Sequence, residues 1–186
     1  MDKKFSSRAG AKLAFAINKW HINVQDKICA DLGCSTGGFT DCLLKSGAKK
    51  VYAVDTGYGV LDWKLRNDNR VVVMERANAL YLELQEKVDF ISIDVGWTPQ
   101  KTVLPKALSL LNKGGNIISL LKPHYEADKG WLVKGKLRPE YLDRVIGKVK
   151  NELKELNIAI EDITESPLAG AKSGNKEYLL WIKNID

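Results

Sequence analysis

The stretch Ile28-Cys-Ala-Asp-Leu-Gly-Cys-Ser-Thr-Gly-Gly-Phe39 constrains this chain more than any other. A short apolar run ends in an acid, a glycine-rich turn follows, and a helix opens directly after it. The next apolar run, Val51-Tyr-Ala-Val-Asp55, closes on a second acid. Gly33, Gly37 and Gly38 carry no side chain, so the backbone can turn tightly there and a ligand can lie against it. Asp55 stands 22 residues after Gly33. That spacing places an acid at the end of the second strand to grip a ribose diol. The pattern is that of a nucleoside-binding strand–loop–helix–strand unit.

Two departures from the dinucleotide fingerprint G-x-G-x-x-G narrow the ligand. The middle glycine position is Ser35, and Asp31 precedes the loop. An acid beside a phosphate cradle repels its ligand, whereas beside a sulfonium or an amino-acid ammonium it attracts. The loop from Gly33 to Phe39 therefore favours S-adenosylmethionine over NAD, with Asp31 expected to face the cationic end.

The remaining periodicity extends the unit into a doubly wound, mostly parallel α/β sheet of seven strands with helices on both faces. A first helix over about 8–20 buries Leu13, Ala16, Ile17 and Trp20 at helical spacing. Strands are expected near 27–32, 50–55, 71–75, 88–94 and 115–121, each a nearly continuous apolar run of the kind covered on both faces. Phe39–Ser46 and Thr102–Leu111 have helical length and pattern, with Gly47 and Lys113-Gly-Gly115 as helix stops. Residues 123–139 hold Pro123, Gly130, Gly135 and Pro139 among lysines and aromatics, which predicts a long loop or lid. A helix over 140–157 follows, then two last strands near 158–165 and 177–183, the final pair antiparallel. At 186 residues, with no internal repeat or linker, the chain is expected to form one domain over 1–186.

Composition excludes several classes. No apolar run approaches the roughly 20 residues of a membrane span, and the N-terminus lacks the apolar core of a signal peptide. Cys29, Cys34 and Cys42 are odd in number and lack C-x-x-C spacing, and only two histidines are present, so neither a disulfide framework nor a metal site is expected. Cys34 is expected to be a small buried thiol rather than a nucleophile, and the compartment is expected to be the cytoplasm. The net charge of +6 is compatible with a polyanionic partner or with a plain solvated basic surface. Basic residues crowd two regions: Lys3, Lys4, Arg8, Lys12 and Lys19 at the start, and Lys129 to Lys154 later.

Ligands of open α/β sheets sit at the carboxyl ends of the strands, so charges at those ends are the candidates for chemistry. The fourth strand ends on Asp94, the fifth on Lys122 before Pro123, and the last begins with Glu177. Five motifs occur in one order: Ser7-Arg-x-Gly-x-Lys-Leu13, Asp31-Leu-Gly-x-x-x-Gly-Gly-Phe39, Ile93-Asp-Val95, Leu121-Lys-Pro123 and Gly174-Asn-x-Glu-Tyr-Leu-Leu180. Together they resemble the catalytic domain of the TlyA-type (hemolysin A) members of the FtsJ-like ribosomal RNA 2′-O-methyltransferases, over nearly the whole chain. The resemblance implies a catalytic tetrad of Lys12, Asp94, Lys122 and Glu177. It implies cofactor contacts from Asp31, the loop residues Gly33, Ser35, Gly37, Gly38 and Phe39, and Asp55, Asn78 and Asp94. It further implies an S-adenosylmethionine cofactor and RNA, expected to be ribosomal RNA or a ribosomal subunit, as partner. Such proteins usually carry an S4-like RNA-binding domain ahead of the catalytic one, and this chain begins almost at the first catalytic motif. The family's Ser-Phe after Asp-Val is Gly96-Trp97 here, and the loop Gly170-Ala-Lys-Ser-Gly174 is one residue longer than usual.

The chemistry also stands apart from the resemblance. Transfer of a methyl group from a sulfonium to a ribose hydroxyl needs an in-line approach and loss of the hydroxyl proton, and positioning supplies much of the gain. Lys122 is expected to act as base or hydroxyl-orienting group. Lys12 would tune it, Asp94 fix it, and Glu177 hold Lys12. Base N-methylation is disfavoured because the fourth strand continues as Asp94-Val-Gly-Trp97 rather than an Asn/Asp-Pro-Pro-aromatic turn. Cytosine C5 chemistry is disfavoured because no cysteine follows Cys42. Trp97, Tyr125 and Trp131 are candidates for stacking on a splayed nucleotide. Two other readings stay open here: a methyltransferase for a small molecule or protein, and a cofactor- or RNA-binding module without catalysis. A membrane pore, which the hemolysin name suggests, lacks a spanning segment or barrel pattern in this sequence.

Overall fold

A computed structural model describes residues 5–170 and 174–184. Lys3, Lys4 and positions 171–173 of the loop before Glu177 lie outside the described residues. Among the described residues nine strands form in chain order: β1 (Ile28–Leu32), β2 (Lys50–Val54), β3 (Val71–Met74), β4 (Val88–Ile93), β5 (Leu111–Leu121), β6 (Leu132–Val133), β7 (Lys136–Leu137), β8 (Ile160–Glu165) and β9 (Tyr178–Lys183). Seven of them make one sheet in the order β3-β2-β1-β4-β5-β9-β8, while β6 and β7 pair separately. The five strands from β3 to β5 are parallel, and β9 runs antiparallel to both of its neighbours.

Alternation along each strand divides the core between two faces. Cys29, Val51, Ala53, Phe90 and Ile118 point one way, against Leu13, Ala16 and Ile17 of α1 (Ala9–Lys19) and Cys42 and Leu43 of α2 (Gly38–Lys45). Ala30, Tyr52, Val54, Ile91 and Ile117 point the other way. They meet Val103, Leu104 and Ala107 of a helix over Gln100–Leu110, and Val149 and Leu153 of a helix over Leu142–Glu155. Leu13 and Leu104 have no exposed surface. Burying a side chain of that size contributes roughly 1.5–3 kcal/mol, which is why periodicity on these helices is so clear in the sequence.

Including the short helices Trp63–Arg66 and Pro123–Glu126, the helices are α1 to α6 in chain order, with α4 over Gln100–Leu110, α5 over Pro123–Glu126 and α6 over Leu142–Glu155. The chain leaves β1 toward β2 on one side, while β4 lies on the other, so a crevice opens at the carboxyl ends of β1 and β4. A close approach of two helix starts helps to shape it. A Cβ at Gly10 of α1 would lie 2.7 Å from the carbonyl oxygen of Gly38 at the start of α2. Only glycine lets the two helix starts approach this closely, and Lys12, two residues on and on the other side of α1, is buried as well.

Two expectations about punctuation are corrected. Lys113-Gly-Gly115 does not cap a helix. The helix ends at Leu110, Leu111 already pairs with Val88, and the register then slips so that Asn116 faces Phe90. The glycines serve a bulge: Gly114 has φ +77°, and a Cβ at Gly115 would meet Leu111 and two backbone oxygens within 3 Å. The segment 123–139 is not an unstructured lid. It holds α5, a short 3-10 turn and the β6–β7 hairpin, whose turn residues Lys134 and Gly135 both have positive φ (49° and 75°). That is the two-residue turn whose twist matches a hairpin.

Candidate active site

The glycine loop is tied to the end of β2 by its own backbone. The N–H groups of Gly33 and Cys34 both donate to the carbonyl of Val54, at 2.9 and 3.0 Å. Asp55 then closes the turn from the other side, accepting from Ser35 N on Oδ2 and from Gly57 N on Oδ1, each at 2.8 Å. A carboxylate offers about four lone-pair sites, so one on each oxygen remains for a diol. Gly33 has φ +85°, and a Cβ there would lie 2.6 Å from the carbonyl oxygen of Asp94. The loop and the end of β4 therefore touch backbone to backbone.

Between these elements lies a cavity of about 230 Å³. Gly33, Asp55, Asn78 and Asp94 line it, together with Thr56, Ala77, Leu80, Val95, Thr98 and Val103 among others. Asn78 accepts from Leu80 N on Oδ1 at 2.9 Å, which fixes the turn Ala79–Tyr81 and leaves its amide N–H donors for another partner. Thr98 and Val103 had no signal in the sequence beyond following a strand end.

The other loop residues do not line this cavity. Phe39 is buried in the core, and Gly37 and Gly38 back onto protein: Leu61 and Leu65 for the first, Ser7, Ala9 and Gly10 for the second. Their missing side chains serve packing rather than an open ligand face. Ser35 contributes its backbone N–H to Asp55. Asp31 departs most from expectation. It has no exposed surface and accepts from Thr40 N and Thr40 Oγ1 on one oxygen, at 2.8 and 2.7 Å, and from Ser92 Oγ on the other, at 3.1 Å. It stitches β1, β4 and α2 together beneath the cavity instead of meeting a ligand in it. Burial pushes its carboxyl up to about 7, and the Asp94 charge adds to the rise. The three cysteines are buried and free, and burial also raises the Cys34 thiol, so Cys34 is a packing group.

The four charged candidates form two ion pairs along the carboxyl edge. Lys122 Nζ lies 2.6 Å from Asp94 Oδ1 and donates to the Val95 carbonyl at 3.2 Å. Lys12 on α1 pairs with Glu177, both side chains being almost wholly buried. Leu121 of β5 faces Tyr178 of β9, so Lys122 and Glu177 leave neighbouring strands at the same edge. Asp94 is common to both parts, since it lines the cavity and holds Lys122.

The turn that carries Lys122 is anchored from below. Glu126, at the end of α5, accepts from Gln100 N at the start of α4 at 2.8 Å. Gln100 in turn accepts from Ser119 Oγ at 2.6 Å. Above it, Tyr125 stacks on Trp97 at 4.5 Å between ring centroids, and Lys122 Nζ stands 5.8 Å from the Tyr125 ring. Trp97 is 82% exposed, so the stack presents an aromatic face beside the lysine. Trp131 is not part of it and pairs instead with Tyr141. The imidazole of His124 is held below its usual range by burial and by Lys122.

The sequence profile of the FtsJ-like methyltransferases matches residues 5–184. The chain belongs to the FtsJ-like methyltransferase family. Its seven-stranded sheet is the mostly parallel, Rossmann-like sheet of those enzymes. Among curated relatives, Hemolysin A of Brachyspira hyodysenteriae is 44% identical over 187 residues, which is 95% of this chain and 75% of that protein. The 16S/23S rRNA (cytidine-2′-O)-methyltransferase TlyA of Mycobacterium tuberculosis is 38% identical, over 98% of this chain and 69% of that protein. A solved structure described as a hemolysin from Streptococcus thermophilus superposes with a TM-score of 0.93 at 36% identity, covering 100% of this chain and 69% of that one. Among the described residues, no helix is long and apolar enough to cross a membrane.

Proposed function

We propose that this FtsJ-like protein methylates a ribose 2′-hydroxyl of RNA, with S-adenosylmethionine as donor and ribosomal RNA in the cytoplasm as substrate. The observation that carries the reading is the double placement of Asp94, in the wall of the cavity and in contact with Lys122. The residues present fit a nucleoside cofactor. The backbone approach at Gly33 admits no side chain, Asp55 keeps acceptor sites for a diol, and Asn78 keeps amide donors for a base edge. When bound, S-adenosylmethionine supplies an electrophilic methyl group on a sulfonium.

The chain's own groups then do three things. Asp94 and the Val95 carbonyl hold Lys122 Nζ through two of its three N–H bonds, which aims the third away from them. Lys122 Nζ meets the ribose hydroxyl: as an ammonium it donates to the oxygen, and as an amine it accepts the hydroxyl proton. Lys12, fixed by Glu177, stands at the same edge as a buried group that tunes and orients the site around Lys122. Most of the rate gain in this scheme comes from positioning, consistent with a site built from paired and anchored side chains. The Trp97–Tyr125 stack supports the reading with a face for a splayed base.

The test is transfer of labelled methyl from S-adenosylmethionine to ribosomal subunits from a host lacking the activity, followed by nuclease mapping. Label on a ribose 2′-oxygen supports the reading, and Lys122→Ala should abolish it while calorimetric cofactor binding stays near wild type. Label on protein or on a base, or full turnover by Lys122→Ala, would overturn it.

A further inference from the structure

We infer that the β6–β7 hairpin and the start of α6 form a clamp for the phosphate backbone of single-stranded RNA, built from two arginines laid on aromatic rings. The inference rests on the function proposed above and names a surface for its substrate. Trp131, just before β6, and Tyr141, just before α6, lie parallel within 5°, with centroids 5.2 Å apart. The guanidinium of Arg144 sits 4.8 Å from the centre of the Trp131 ring, and that of Arg138 sits 5.8 Å from the Tyr141 ring. A guanidinium held over a ring rather than in an ion pair keeps its N–H donors for another partner, and a guanidinium fork matches a phosphate bidentately.

Three further observations separate this from an ordinary solvated basic face. Arg144 has no ion-pair partner among the described residues, and the one carboxylate near Arg138, Glu140, is 3.7 Å away and exposed, a pair worth little in water. Lys134 and Lys136 add exposed cations at the tip of the same hairpin. The hairpin is also fixed relative to the active site. Asn175 accepts from Leu137 N at 3.2 Å and donates to the Gly135 carbonyl at 3.1 Å. Asn175 stands two residues before Glu177, and α5 joins the hairpin to Lys122. An RNA strand held on the arginine rack is thus held at a set distance from the lysine that meets its ribose, which is what a positioning surface must do.

The test is binding of a short fluorescein-labelled oligouridylate to the full chain by anisotropy across a salt series. Each phosphate neutralised on a single strand contributes about 0.7 to the slope of log K against log salt. R138Q/R144Q should therefore lower that slope by about 1.4 and weaken binding roughly 25-fold at 0.1 M salt. K49Q/K113Q removes the same charge from exposed positions at the opposite end of the sheet and should change affinity by less than about threefold, since charges beyond a Debye length of ~10 Å are screened. Equal effects from the two pairs, or an unchanged slope in R138Q/R144Q, would overturn the clamp. If the wild type methylates ribosomal subunits and R138Q/R144Q does so with the same RNA KM, the clamp falls and the proposed function stands. If the wild type binds no RNA and transfers no methyl, both fall.

Discussion

Replacing Glu177 by alanine should leave the ammonium of Lys12 stranded in a site where its side chain is only 7% exposed. Removing one member of a buried pair costs about 3–5 kcal/mol, because the remaining charge has lost its water without keeping its partner. For a chain of this length each kcal/mol moves Tm by about 2–4 °C, so Glu177→Ala should melt roughly 6–20 °C below wild type. A domain stable by about 5–15 kcal/mol survives that loss over most of the range. The companion variant K12M/E177L removes both charges and replaces them with apolar groups of similar length, an exchange that is often neutral or stabilising. It should melt within a few degrees of wild type and bind S-adenosylmethionine normally, yet transfer no methyl. Calorimetric melting and label transfer on the same preparations separate the two contributions. A Glu177→Ala chain melting within about 3 °C of wild type would show that the pair is not desolvated. A K12M/E177L chain that still methylates would remove the pair from catalysis.

Two further predictions use other parts of the site. Asp31 has a folded pKa of about 7 against an ordinary value of 3.8, so the folded state holds a proton that the unfolded state releases. Its favourable contribution is complete below about pH 3.8, declines as pH rises and is gone above about 7. Asp31→Asn should flatten the fall in Tm between pH 4 and pH 7, and an equal fall in variant and wild type would refute the assignment. Gly33→Ala combines a left-handed φ with a Cβ 2.6 Å from a backbone oxygen. It should cost at least 1–2 kcal/mol of stability and weaken calorimetric cofactor binding at least tenfold; unchanged binding would show that the loop does not cradle the ligand.

Much of the fold was legible because its signals are local. Continuous apolar runs bounded by glycine and acid marked the parallel strands near their observed limits. The 3.6-residue stripe Leu13, Ala16, Ile17 marked α1, and Asp55, Asp94, Lys122 and Glu177 stood out as charges at strand ends. Where local signals misled, the reason was a neighbour far off in sequence. Lys113-Gly-Gly115 has the composition of a helix stop, and only the pairing of its flanks, Leu111 with Val88 and Asn116 with Phe90, turns it into a bulge.

By itself the sequence determined a doubly wound sheet, a glycine loop at the carboxyl end of β1, and a set of strand-end charges, since periodicity and backbone chirality act over a few residues. Tertiary structure alone decided which of those groups meet. It buried Asp31 under Thr40 and Ser92, turned Gly37 and Gly38 toward Leu65 and Gly10, joined Lys12 to Glu177 across 165 residues, and laid Arg144 on Trp131. Whether a charge is solvated, paired or stacked depends on atoms brought together by the whole sheet, and that information has no period along the chain.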